Sequence, residues 1–428
     1  MPLPPFASWM LEQEARALLT RLARVKPLAM QESMLPAASL LPETQTAIER
    51  FLIVGRWQLR SLVERFLDWL KSPEGAGSDA ETAQRKFISL RLRFTGVLTH
   101  FDLFENVITQ RSENETGVWL SGLDVVSADA LRLHGHYYDS PPIVCYLDRG
   151  MGAAIRRSRT RLPGGGDNPV AIIKIPRERM VGSGIASSLV HEVGHQAAAL
   201  LSLVESLRPV LRRKAQERPS ERLAWELWER WIGEIVADLW AAGRVGIAST
   251  LGLMSVVSLP RVFVFRVNTG DPHPTPWIRV KLSAAMGNAF YPQPGWGQLV
   301  ELWESYYPRS GAAPQQREVM QLLERTIPEL VTLLVDHRPP ALRGHSVRQA
   351  LDTVELQPSR LQELLRRWRH APQEMYQTRP IVTFAAIGQG RIDGSITPEE
   401  ESAVLGKLLS HWALWSTLQA AAGCAIAS

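Results

Sequence analysis

Two imidazoles bracket a carboxylate in the run His191-Glu192-Val193-Gly194-His195. On a helix, positions four apart lie on one face, one turn above the other. His191 and His195 can therefore reach one metal ion. Glu192, at the next position, leans toward the same ion and can take a proton from a water bound there. The flanks say where this helix sits. Upstream stand Ile185-Ala186-Ser187-Ser188-Leu189-Val190, and downstream Gln196-Ala197-Ala198-Ala199-Leu200-Leu201. Between Met180 and Glu205 the only formal charge is Glu192. A helix so apolar on every side is predicted to be buried. A surface helix with two unrelated histidines would carry Lys and Glu on its outer face. Buried polar groups need partners, because burial without them costs several kcal/mol. One zinc ion would satisfy all three.

A catalytic zinc takes three protein ligands and leaves one position open. Residues 231–241, Trp231-Ile232-Gly233-Glu234-Ile235-Val236-Ala237-Asp238-Leu239-Trp240-Ala241, offer the third. Glu234 and Asp238 are one turn apart and interrupt an apolar run. Two carboxylates buried together would repel and stay protonated unless cations or donors met them. Both charges are compensated if Glu234 binds the ion and Asp238 accepts the N–H of a zinc-binding imidazole, fixing its tautomer. The preceding stretch, Trp225 to Arg230, reads instead as an ordinary amphipathic helix.

The pair of motifs, H-E-x-x-H and then E-x-x-x-D on a later helix, resembles the gluzincin metallopeptidases. The resemblance implies zinc ligands His191, His195 and Glu234, a general base in Glu192, and a histidine-supporting role for Asp238. The 38 residues between His195 and Glu234 are more than thermolysin-like members have. A third segment, Asp271-Pro272-His273-Pro274-Thr275-Pro276-Trp277-Ile278-Arg279, is similar to the prenyl-protein endopeptidases and their bacterial membrane-stress relatives. That similarity implies that His273 lies near the site and donates to the oxyanion. It implies that Arg279 anchors its loop or pairs with an acid. Those relatives carry several transmembrane helices, and this chain has no comparable set. The likeness covers residues 170–285. Read from the residues alone, the segment around His273 is equally a proline-stiffened loop with a solvated histidine.

The elements that must position these groups follow from periodicity. Apolar residues at three-and-four spacing predict helices over 9–25, 44–70 and 80–110, with a loop over 72–78. Strands are predicted over 142–147 and 170–175, both ahead of the zinc helix. In zincin-like folds the strand just upstream of that helix forms the edge along which a substrate backbone lies, and such an edge binds peptides by strand addition. Residues 245–260 form the longest uncharged stretch, too short and too rich in Ser and Thr for a membrane span, so a buried helix is expected. Residues 311–428 read as mostly helical, with a loop over 388–394. Gln389 and Arg391 occupy the first ligand places of what would be a calcium loop, which excludes calcium. Thr397-Pro398-Glu399-Glu400 reads as a capping box opening a helix. The expected class is α+β, predominantly α-helical. A zincin-like metallopeptidase core over 131–310, with a small sheet beside the active-site helix, would be flanked by helical regions at 1–130 and 311–428.

Composition excludes several classes. The 428 residues are 45% hydrophobic and 21% charged, with a net charge of +5, so a large core is available. The basic excess is not gathered into the stripe a nucleic-acid binder shows. The nearest cluster, Arg149, Arg156, Arg157, Arg159 and Arg161 before a glycine-rich turn, reads as a flexible loop beside the site. Cys145 and Cys424 make no disulfide framework and no cysteine metal site. No basic region followed by an apolar core opens the chain, so no signal peptide is expected and the compartment expected is the cytoplasm. Trp225, Trp228 and Trp231 recur at packing spacing rather than as an aromatic cage. His134 and His136 have no acidic or cysteine neighbour in register and read as structural or solvated.

The function expected is therefore zinc-dependent hydrolysis of peptide bonds in a peptide or protein substrate. His273, or one of Tyr137, Tyr138 and Tyr291, would stabilise the oxyanion. The alternative is a zinc-stabilised scaffold without turnover that binds a protein partner through its helical flanks. The intact Glu192 argues for the enzyme, since a structural site needs no base.

Overall fold

The computed structural model describes residues 2–24, 34–149, 152–161, 166–177, 182–268, 270–351 and 354–427. The fold is α+β and predominantly helical, with one three-stranded sheet. In chain order the elements are α1 (Pro5–Arg24), α2 (Pro42–Lys71), α3 (Pro73–Gly77), α4 (Ala80–Thr109) and α5 (Asn114–Leu131). Then come β1 (Ile143–Asp148), β2 (Ala154–Arg156), β3 (Ala171–Pro176), α6 (Ser183–Leu200), α7 (Leu203–Glu217), α8 (Arg222–Val245) and α9 (Ile247–Val257). The chain continues through α10 (Arg261–Val264), α11 (Pro276–Phe290), α12 (Gly295–Tyr306), α13 (Pro314–Val335), α14 (Val347–Leu351), α15 (Pro358–His370), α16 (Pro380–Ile392) and α17 (Pro398–Ala427). No helix among the described residues is long and apolar enough to cross a membrane.

The long helices arise as their periodicity requires. In α2, Ile48, Leu52, Gly55, Leu59, Val63, Phe66 and Leu70 form one buried stripe. Proline opens α2, α11, α13 and α16, where its missing N–H costs nothing. The 72–78 segment, read as a loop, is a short helix capped by Ser72, whose hydroxyl accepts from the Gly75 N–H at 3.2 Å.

The sheet joins two apolar clusters. Its order is β1-β3-β2, with β1 parallel and β2 antiparallel to β3. Val144 and Ile172 face the cluster built by α1, α2 and α4. Ile143, Cys145, Leu147, Ala171, Ile173 and Ile175 face the larger cluster, which runs from α5 to α17. That alternation is the period-two rule of a strand covered on both faces. The larger cluster includes α5 and continues unbroken past residue 310.

β1's outer edge is closed by side chains. Gln110 Nε2 donates to the Leu147 carbonyl at 2.8 Å, and its Oε1 accepts from the Leu147 N–H at 2.7 Å. Arg111 Nη2 donates to the Cys145 carbonyl at 2.7 Å, and Asp124 Oδ1 accepts from the Cys145 N–H at 2.7 Å. The opposite edge is β2. This corrects the expectation that the strand just upstream of α6 is the edge, because β3 is central and paired on both sides. β2 itself falls within the arginine-rich segment expected to be a loop. Ser158 N donates to Gln196 Oε1 of α6 at 2.9 Å, which ties that segment to the motif helix. Residues 162–165, within the expected loop, lie outside the described residues.

A second correction concerns 388–394. Gly388 and Gly390 lie inside α16, buried. A Cβ on Gly388 would come within 2.3 Å of the Ala248 Cβ, so the glycine serves close approach of α16 to α9 rather than a turn. The capping box at Thr397 forms as expected, with Thr397 N donating to Glu400 Oε2 at 2.8 Å and Glu400 N to Thr397 Oγ1 at 3.2 Å.

Candidate metal centre

His191 and His195 lie one turn apart on α6, and Glu234 and Asp238 one turn apart on α8. The two helices pack directly, and the close approach has a local cause. A Cβ on Gly194 would lie 2.9 Å from Ala237 Cα, from Ala237 O and from Trp240 Cβ. Only a residue without a Cβ lets the α6 backbone sit this near α8. On the other flank Gly252 of α9 would place a Cβ 2.4 Å from Ser187 Cβ, so α9 also rests against α6. α8 is held from behind by its own buried side chains. Trp228 Nε1 donates to Thr326 Oγ1 at 2.8 Å, Trp240 Nε1 to the Ala130 carbonyl at 3.1 Å and Arg244 Nη2 to the Asp129 carbonyl at 2.8 Å.

The donor atoms of His191, His195 and Glu234 all lie within 4.8 Å of one another, so these residues form a group that could hold a metal ion. His191 Nε2 is 3.2 Å from Glu234 Oε2, and His195 Nε2 is 3.6 Å from Glu234 Oε1. Ligand bonds of 2.0–2.2 Å in a tetrahedron separate donor atoms by roughly 3.3–3.6 Å, so the spacing suits one ion. His191 Nδ1 lies 2.7 Å from Asp238 Oδ1. A carboxylate only accepts, so Nδ1 carries a proton, and loss of the ring's second proton would turn an Nε2 lone pair to the site. Glu234 Oε2 is buried and receives no hydrogen bond of good geometry. Between His191 Nε2 and this oxygen a positive charge is required, supplied either by the second proton of the ring or by a metal ion in its place. The residues present therefore fit a metal.

The charges around the group are strongly coupled. Burial pushes His191 down, but Asp238 and Glu234 outweigh it and carry the ring up to about 9. Burial and the neighbouring His191 hold His195 down to about 4, so it is a neutral ligand near pH 7. Burial raises Glu192, which favours its accepting a proton. Burial opposes ionisation of Glu234 and Asp238. The imidazoles around Glu234, and Arg279 and His191 around Asp238, hold both well below the ordinary range.

Arg279, on α11, meets Asp238 as a fork. Its Nε donates to Oδ2 at 2.7 Å and its Nη2 to Oδ1 at 2.9 Å. It also stands 3.7 Å from Glu234 Oε2. His273 Nε2 is 3.1 Å from the same Glu234 oxygen, and its Nδ1 is 2.8 Å from Asp271 Oδ1. With 49% of its side chain exposed, His273 sits at the rim where a substrate can meet it. Its pKa is raised, by Glu234 first. All seven residues singled out in the motifs and the His-Pro segment thus gather in one place.

The tyrosines do not. Tyr291 is buried and its hydroxyl donates to the Gly243 carbonyl at 2.5 Å. The Tyr138 hydroxyl donates to the Leu131 carbonyl, and the Tyr137 ring packs on His345. None of the three lines the cavity at the metal group, so of the oxyanion donors considered only His273 stands there. Trp225, Trp228 and Trp231 are fully buried and form no cage. His134 lies 3.4 Å from Arg379 Nη1 and joins no metal-ligating group among the described residues.

The cavity beside the group is lined in part by Gly152, Ala153, Glu192, Leu253 and Ser283. Gly152 and Ala153 lead directly into β2, so the start of this edge strand adjoins the cavity. The sequence reading missed this strand, and also the spacing role of Gly194. Gly194 was in view inside the motif. Comparison of the chain with models of protein families, with curated proteins and with solved structures finds no match.

Proposed function

We propose that the protein is a zinc-dependent metallopeptidase of the gluzincin type, with a zincin-like core centred on α6 and the sheet. The observation that carries this reading is the convergence of His191, His195 and Glu234 donor atoms beside Glu192, which lines a cavity at the start of the edge strand β2. A structural site would close its fourth position and have no use for a buried base.

A zinc ion held by the three residues would polarise a scissile carbonyl and bring the pKa of water toward 7. Glu192 accepts the proton of the attacking water and passes it to the leaving amine. Asp238 holds the His191 ring in one tautomer, and Arg279 holds Asp238. His273 donates from Nε2 to the oxyanion as the carbonyl becomes tetrahedral. The outer edge of β2 pairs with an extended substrate backbone, which favours loose side-chain preference along most of the peptide.

The test is metal analysis joined to turnover on a mixed peptide library. Wild type is expected to hold about one zinc per chain, and His191→Ala or His195→Ala to empty the site. Glu192→Gln is expected to keep zinc and fold while losing about 10²–10⁴-fold in turnover. Zinc bound by wild type with no cleavage anywhere in the library would leave the non-catalytic scaffold as the reading.

A further inference from the structure

We infer that the peptide taken by this site carries a small side chain, the size of glycine, alanine or serine, on the residue that supplies the leaving amine. The inference rests on the peptidase reading above. Glu192 lines the cavity, and it is the group that returns a proton to the leaving nitrogen. The residue bearing that nitrogen must therefore lie against Glu192, with its side chain in the same cavity. The space there is about 120 Å³. A cavity of about 150 Å³ encloses one benzene ring and nothing more. Here backbone atoms and the attacking water share the smaller volume.

The walls explain the size. Ser187, Ser249 and Ser283 come from three helices, and Leu253 and Val256 of α9 add apolar wall beside them. α9 is seated directly on α6, where Gly252 lies against Ser187. The side chains away from the catalytic groups offer no free charge to a substrate. Ser283 and Thr250 share a hydrogen bond at 2.7 Å, and Ser249 Oγ donates to the Gly246 carbonyl at 2.8 Å. Asp238 and Arg279 are committed to each other. Size is then the main discriminator, and each excess methylene against an apolar wall is worth about 10–200-fold in kcat/KM.

The experiment uses peptides of one sequence in which only this residue varies, with product N-termini read by mass spectrometry. Wild type is expected to cleave ahead of Gly, Ala or Ser about 50-fold or more faster than ahead of Leu, Phe or Arg. Leu253→Ala enlarges the cavity and is expected to raise the Leu-to-Ala rate ratio by about tenfold or more. Val256→Ala, at the same wall, serves if Leu253→Ala lowers the folded yield. Equal wild-type rates ahead of Ala, Leu and Phe, with Glu192→Gln inactive, would overturn the size rule and leave the peptidase standing. An unchanged ratio in both enlarged variants would overturn the placement of the side chain. Absence of any wild-type cleavage would overturn the peptidase reading itself, and the size rule with it.

Discussion

Asp238 Oδ1 accepts from His191 Nδ1 at 2.7 Å and from Arg279 Nη2 at 2.9 Å, while Oδ2 accepts from Arg279 Nε at 2.7 Å. The carboxylate thus fixes an imidazole and neutralises a buried guanidinium together. This changes what its replacement should do. From the sequence, Asp238→Asn would be expected to disturb zinc alone. With Arg279 in place, the amide NH₂ must face either the Arg279 Nε–H or the other two donors, so at least one contact becomes repulsive. Asp238→Asn should therefore weaken zinc binding by about 10–100-fold and also lower the stability of the metal-free protein. Asp238→Leu should cost about 3–5 kcal/mol, because it strands a buried charge. A metal-competition titration and urea melts of the metal-free chains check both statements. Wild-type values in both assays would show that Asp238 supports neither group.

At the scale of elements, the site exists because α6 and α8 pack with almost no side-chain spacer. Gly194→Ala makes a sharp test. On an exposed helix that change stabilises by about 1 kcal/mol through propensity. Here the new methyl would meet Ala237 backbone and Trp240 Cβ at 2.9 Å, and backbone cannot swing aside. The expected result is a net destabilisation of about 1–3 kcal/mol. The helices would part, stretching the reach from Glu234 to His191 and His195, so zinc affinity should fall as well. Thermal melts and zinc titration read the two effects. A variant more stable than wild type with unchanged affinity would show that the helices have slack. The sheet makes the complementary point. Arg111, Gln110 and Asp124 close β1's edge, which leaves β2 as the edge that could accept an added strand.

Across the whole molecule, the metal group sits on a scaffold that does not depend on it. The larger cluster extends from Leu120 to Trp412 and includes six fully buried or nearly buried tryptophans around α8 and its partners: Trp225, Trp228, Trp231, Trp240, Trp277 and Trp303. Burial of that extent outweighs what one bound ion adds, about 3–4 kcal/mol at 100–1,000 times its Kd. Chelation should accordingly leave the far-UV circular dichroism of the helices in place and lower Tm by only several degrees. Loss of most helical signal on chelation would make the metal the organiser of the fold. The smaller cluster on α1, α2 and α4 meets the shared sheet at Val144 and Ile172, with Val170 just ahead of β3.

What the sequence determined by itself was the local chemistry. A helix repeats every 3.6 residues, so His191 with His195 and Glu234 with Asp238 had to share faces, and uncharged flanks required burial. The long helices and the two six-residue strands were legible for the same reason, as was the capping box at Thr397. Tertiary structure decided everything that depends on who meets whom. β2 has three residues, too few to show a period, and exists because β3 lies beside it. The edge and the centre of the sheet are assigned by pairing, which no single strand encodes. Gly388 and Gly390 look like a turn in isolation, yet inside α16 Gly388 meets Ala248 of α9 and Gly390 meets Ile396 and Leu365. Tyr137, Tyr138 and Tyr291 had suitable hydroxyls but are turned to other partners by their neighbours. Arg279 was visible as a cation near a His-Pro pair. That it grips Asp238, and through Asp238 the ring of His191, was settled only when α11 packed against α8, because a buried guanidinium takes whichever carboxylate the fold brings within reach.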